Sequence, residues 1–158
     1  IAQHLAEQIT RFPFAAIIAL IFFIFNPESI WIPNLGIFLL SCISTFFSFL
    51  IQFLIQSIIA CLCFWTEKAS SIERLFFIPT LFLSGLLAPV VSFPEFVKSW
   101  IYLTPFPYLI DFPANLLSGN ETNIITGFFM QLFWISVLFP FFKRTWSMGT
   151  KKYTAMGS

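Results

Sequence analysis

Residues 84–119 read SGLLAPVVSFPEFVKSWIYLTPFPYLIDFPANLLSG, and the reading of this stretch decides the fold. It begins as a membrane-grade apolar run and breaks at Gly85 and Pro89. Four more prolines follow, Pro94, Pro105, Pro107 and Pro113, set among aromatic and aliphatic residues. Proline removes a backbone donor and clashes inside a helix, so the stretch does not form one long helix. A membrane protein tolerates such breaks where the freed backbone is buried in protein or lies at the water interface. The expectation is a hairpin of short, broken helices, dipping into one face of a bilayer between two full spans. Pro94 suits the first position of a helix there, and Glu95 its first turn. Phe96, Val97, Trp100 and Ile101 then share one face, and Glu95, Lys98, Ser99 and Tyr102 the other. That pattern belongs to a helix lying in the interface plane.

Composition points the same way. The chain is 58% hydrophobic and 9% charged, with a mean hydropathy of +0.89 and 24 Phe in 158 residues. Soluble domains carry roughly 25% charged residues. An integral membrane protein follows, with the lipid bilayer as its first partner. The net charge of +1 comes without any basic run that could hold a phosphate backbone, which excludes a nucleic-acid partner. At about 20 residues per span the length allows four or five helices. No charged n-region precedes an apolar stretch and a cleavage site, so no signal peptide is read. Ile1 stands where a Met would begin a chain, and the helical pattern is already under way. The expectation is a fragment lacking an N-terminal part.

The pattern divides the chain as an all-α, polytopic membrane helix bundle of about four transmembrane helices. Residues 1–11 form a short amphipathic helix, with Ile1, Leu5 and Ile9 on one stripe. Spans are expected at 12–25, 35–64, 70–91 and 122–142. The external hairpin, 92–119, lies before the last span, and 143–158 is a tail. The third span should be kinked, because Pro79, Gly85 and Pro89 lie within it. An even number of spans puts Arg11, Lys68, Arg74, Lys143, Arg144, Lys151 and Lys152 on one side, leaving Lys98 opposite. By the positive-inside rule both ends are cytoplasmic and the hairpin is external.

Chemistry at membrane depth is sparse. His4 is alone on its helix, and no H-E-x-x-H occurs, so no metal site is expected. Cys61 and Cys63 point to different helix faces and Cys42 lies turns away, which reads as packing. No Gly-rich phosphate loop is present, so the chain should not hydrolyse a nucleotide itself. The polar feature is a stripe along the second span. Ser41, Thr45, Ser48, Gln52 and Gln56 recur at three or four residues, with Ser44 beside them. Lipid cannot satisfy two glutamine side chains, so the stripe should face protein or a water-filled path. Interhelical hydrogen bonding is one reading, with Gln131 in the last span as partner. A wall of a substrate conduit, or a seam between subunits, is the other.

The segment from Phe64 to Gly119 resembles the second half of an ABC-2 type permease, the membrane subunit of a class of ABC exporters, and the resemblance covers most of the chain. The resemblance is to the bacterial subgroup with separate permease and ATPase subunits. It rests on Phe64-Trp65-Thr66-Glu67 closing a long span, then Leu83-Ser84-Gly85-Leu86 with Pro89, then Phe93-Pro94. It continues through Thr104-Pro105-Phe106-Pro107-Tyr108 and Phe112-Pro113 to Leu117-Ser118-Gly119, and the tail Gly149-Thr150-Lys151-Lys152-Tyr153 is similar to that subgroup's chain end.

That resemblance implies a six-span permease in the bacterial cytoplasmic (inner) membrane, of which this chain is the C-terminal part. It implies a second permease subunit, as a homo- or heterodimer, and an ABC ATPase subunit that binds ATP and Mg, with no cofactor in this chain. Residues 1–11 would then dock on the ATPase, through His4, Glu7, Gln8 and Arg11. Pro94, Trp100, Pro105, Pro107, Tyr108 and Pro113 would cap the exit side. No residue would be catalytic. Two rivals stand beside it. One is a non-transporting membrane scaffold or assembly protein. The other is a membrane-embedded enzyme, which needs clustered acids, histidines or a Ser/Lys pair that the runs do not offer.

Overall fold

The computed structural model describes residues 34–66, 69–120 and 123–156, together with Ile17, Ile21 and Ile24. The chain divides into two units, Ile1–Ile32 and Pro33–Ser158. In the first, Ile17, Ile21 and Ile24 are helical. The proposed docking residues His4, Glu7, Gln8 and Arg11, and the rest of the first span, lie outside the described residues.

In the second unit all regular structure among the described residues is helical. The uncharged second run forms α1, Leu35–Cys61, which tightens into a 3-10 turn at Leu62–Phe64. The return helix α2 is Ala69–Leu83. Two seven-residue helices follow, α3 at Glu95–Ile101 and α4 at Asp111–Leu117. The last helix, α5, runs unbroken from Ile124 to Met156 with Pro140 inside it. At 1.5 Å per residue its 33 residues span about 50 Å. Only about 30 Å of that fits a hydrocarbon core. The expected last span and the basic tail are therefore one helix, with Lys143, Arg144, Lys151 and Lys152 on its extension.

α1 and α5 pack along each other and run parallel. Near their starts Phe47 meets Phe128 edge-on at 6.2 Å, and Ser44 faces Gln131. Near their far ends Phe64 meets Trp146 at 6.0 Å. Parallel neighbours require the chain between them to travel back, and α2 begins that return. The third span was expected over 70–91, but the helix ends at Leu83. The cause is local. Gly85 turns the chain with φ +85°, and an added Cβ there would sit 2.8 Å from the Asp111 Cβ. Pro89 follows as an extended residue, and Val90–Ser92 form a single 3-10 turn. α2 alone therefore covers about 22 Å.

Two helices, Leu35–Phe64 and Ile124–Lys152, are long and apolar enough to cross a membrane. A core helix of a water-soluble protein would pass that test by being buried, yet only 28% and 11% of their most apolar windows is buried within the chain. Phe46, Phe49, Phe53, Phe129 and Phe133 face outward. An apolar surface of that extent needs lipid or another chain against it. The small core lies at the hairpin end, where Ile51 and Ile55 of α1 meet Tyr108, Phe112 and Leu116, with Phe128, Trp134 and Leu138 of α5 packed alongside.

Candidate functional site

The polar contacts at membrane depth converge on Gln131, which is 0% exposed. Its Nε2 donates toward the Ser44 carbonyl at 3.0 Å, the Ser44 and Ser48 hydroxyls at 3.1 Å, and the Tyr108 carbonyl at 3.2 Å. The Ser44 hydroxyl donates in turn to Gln131 Oε1 at 3.3 Å. Ser48 Oγ lies 2.7 Å from the Tyr108 carbonyl and 3.0 Å from the Ser44 carbonyl, and its one proton serves the shorter contact best. Three elements thus meet at one amide: α1, α5 and the returning arm of the hairpin.

The spacing explains the convergence. Ser44 and Ser48 are four apart and share a helix face, and their small side chains let α5 approach closely enough for the amide to reach α1 backbone. Gly127 lies one turn before Gln131 on the same face of α5. A Cβ at Gly127 would collide with the Phe112 ring, so glycine there lets α4 lie directly against the α5 backbone. Tyr108 Oη donates to the Tyr102 carbonyl at 2.9 Å, closing the hairpin on itself.

The expected stripe along α1 divides. Ser41, Ser44 and Ser48 are buried, whereas Thr45 and Gln56 are exposed and Gln52 is half-buried. Ser41 and Thr45 spend their hydroxyls on α1 itself, donating to the carbonyls of Ile37 and Ser41 at 2.8 Å. Gln131 is brought together with the serines and not with the glutamines. Gln52 and Gln56 fall away because the buried face of α1 passes from Ser48 to Ile51, Leu54 and Ile55. Of the expected cap residues, Pro94 and Trp100 are exposed and Pro105 is half-buried, while Pro107, Tyr108 and Pro113 are buried.

Asp111 is a position the sequence reading did not single out. It is 6% exposed, and its backbone N–H donates to the Ser84 carbonyl at 3.0 Å. Its Oδ1 accepts the Val90 N–H at 3.2 Å. The residue therefore clamps the end of α2 and the turn after it to the start of α4. Burial raises its carboxyl above the ordinary value of 3.8, and the hydrogen bonds from Val90 and Asn115 offset part of that rise. One acidic residue in an apolar loop, next to a proline-rich run, is the sequence signal that could have found it. Among the described residues no group of three or more His, Cys, Asp or Glu side chains comes together in a way that could hold a metal ion.

Among the described residues, an all-helical arrangement with two long, outward-facing apolar helices, joined through a proline-broken hairpin pinned to both, fits a membrane protein. The family model described as ABC-2 family transporter protein matches residues 2–157, and the chain belongs to that family of membrane transport proteins. Searches of curated proteins and of solved structures returned no match.

Proposed function

We propose that this chain is a permease subunit of an ABC exporter, lining a path through the bacterial inner membrane while a separate subunit hydrolyses ATP with its Mg. The observation that carries this reading is the family match over 2–157, on a chain whose α1 and α5 face outward along most of their length. Exposed aromatic faces of that extent suit a second permease subunit as well as lipid. Four crossings complete the reading: the run 12–25, α1, α2 with the turn after it, and α5. The parallel pairing of α1 and α5 supports counting α2, because the chain must return between them.

The distribution of charge supports both ends being cytoplasmic. Lys143, Arg144, Lys151 and Lys152 follow the apolar part of α5, Arg74 lies early in α2, and Lys98 alone among the described basic residues sits in the hairpin. Residues 1–11 would dock on the ATPase through His4, Glu7, Gln8 and Arg11. A push on them would reach the membrane as a rigid-body movement of helices. The test is co-reconstitution of the full-length chain with a candidate ABC ATPase subunit. A permease raises ATP turnover and loses that effect when residues 1–11 are removed. A scaffold protein leaves ATP turnover unchanged in both forms.

A further inference from the structure

Between α3, α4 and the first turns of α5 lies a cavity of about 400 Å³, within the size range of small-molecule sites. Asp111 lies at its wall with the side-chain amides of Asn115 and Asn123, and Tyr102, Tyr108 and Phe112 supply aromatic surface. Among the described residues Asp111 is the one charged residue of that lining, and no described Lys, Arg or His is part of it. Val90 N–H and Asn115 bond the carboxyl, but both are neutral donors. A carboxylate held out of water without a cation beside it costs free energy that a bound cation recovers. Amide oxygens and ring faces add further acceptors for N–H groups and for positive charge.

We propose that this cavity binds a protonated organic amine with an apolar body, its ammonium against Asp111 and its body against the aromatic wall. An anionic ligand would meet the Asp111 carboxyl and no compensating charge. A neutral alcohol of the same shape would fill the space and leave the carboxyl without its counter-ion. The site borders the Gln131 junction through Tyr108 and Gly127, but Gln131 itself is not part of its lining, and the proposal does not depend on the direction of transport or on the ATPase.

The experiment compares phenethylamine with phenethyl alcohol on the full-length chain in lipid nanodiscs at pH 7, by calorimetry and saturation-transfer NMR. The amine is expected to bind about tenfold tighter than the alcohol or better, the scale of a hydrogen bond to a charged group. Asp111→Asn keeps an acceptor for the Val90 N–H and removes the charge, and it should abolish the preference. Thr126→Trp fills the cavity from an exposed position of α5 and should weaken amine binding about tenfold without disturbing the clamp. Should Asp111→Asn fail to fold, Thr126→Trp still decides. Equal affinities for amine and alcohol, an Asp111→Asn chain that keeps the preference, or undiminished binding to Thr126→Trp would each overturn the assignment.

Discussion

The two short helices of the hairpin have equal length and opposite fates. α3 turns outward: Phe96 is 77% and Trp100 63% exposed, Ile101 is its one buried residue, and Lys98 pairs with Glu95 at 2.8 Å on the surface. α4 and the segment leading into it turn inward, burying Phe106, Pro107, Tyr108, Asp111, Phe112, Pro113 and Leu116. The contrast separates two jobs. One arm presents the bulky aromatics that a membrane interface would stabilise at headgroup depth. The other wedges between α1 and α5 and hands its Tyr108 carbonyl to Ser48 and Gln131.

The contrast is broken most severely at the wedge. Phe112 touches Tyr108 and Phe128 edge-on and lies over Gly127. Phe112→Ala should cost about 3–5 kcal/mol, the usual loss for a buried aromatic, read from unfolding of the purified protein in mild detergent. Gln131→Leu comes next. It removes the amide that α1, α5 and Tyr108 share, and should cost about 1–2 kcal/mol. Hydrogen exchange would locate the loss: the α4 amides should exchange faster while those of α3 stay as they were.

Asp111 sharpens the comparison through pH. Its carboxyl is raised in the folded chain, so the folded state holds the proton more tightly than the unfolded one. The stability it contributes is therefore complete below pH 3.8 and is lost as the pH rises through the higher folded value. Unfolding followed across that window should show stability falling with rising pH, and Asp111→Asn should remove that slope. The smallest effect belongs to α3. Phe96→Ser with Trp100→Ser should change folding stability by about 0.5 kcal/mol or less per site, as exposed substitutions do. The pair should nevertheless shift α3 away from the bilayer, measured as reduced quenching of a label on α3 by brominated lipid.

The legible part of the molecule was whatever follows from period and composition. An uncharged run from Leu35 to Phe64 has no other stable form in lipid than a helix, and prolines at 94, 105, 107 and 113 keep their stretch from forming one long helix. Gln131 could be matched to the α1 stripe by type, because a buried amide needs a partner. Its partners among that stripe could not be read. Whether Ser48 or Gln52 faces α5 depends on the rotation of two helices about their axes, which spacing leaves free. The end of α2 at Leu83 was hidden for a different reason. Proline-containing apolar runs continue or stop according to what packs against the turn, and here that is Asp111 against Gly85, twenty-six positions away in sequence. The buried half of the hairpin was likewise masked by its prolines, which suit an exposed cap and a packed wedge equally.

In the proposed topology the hairpin lies on the far side of the membrane from the basic end of α5. Lys98→Cys and Lys152→Cys chains, expressed in intact cells and treated with a membrane-impermeant maleimide, test that directly against the labelling of the native cysteines. The chain altered at Lys98 should take up the reagent from outside, and the chain altered at Lys152 only after the cells are opened. Labelling of the Lys152 variant in intact cells, with the Lys98 variant protected, would contradict the account.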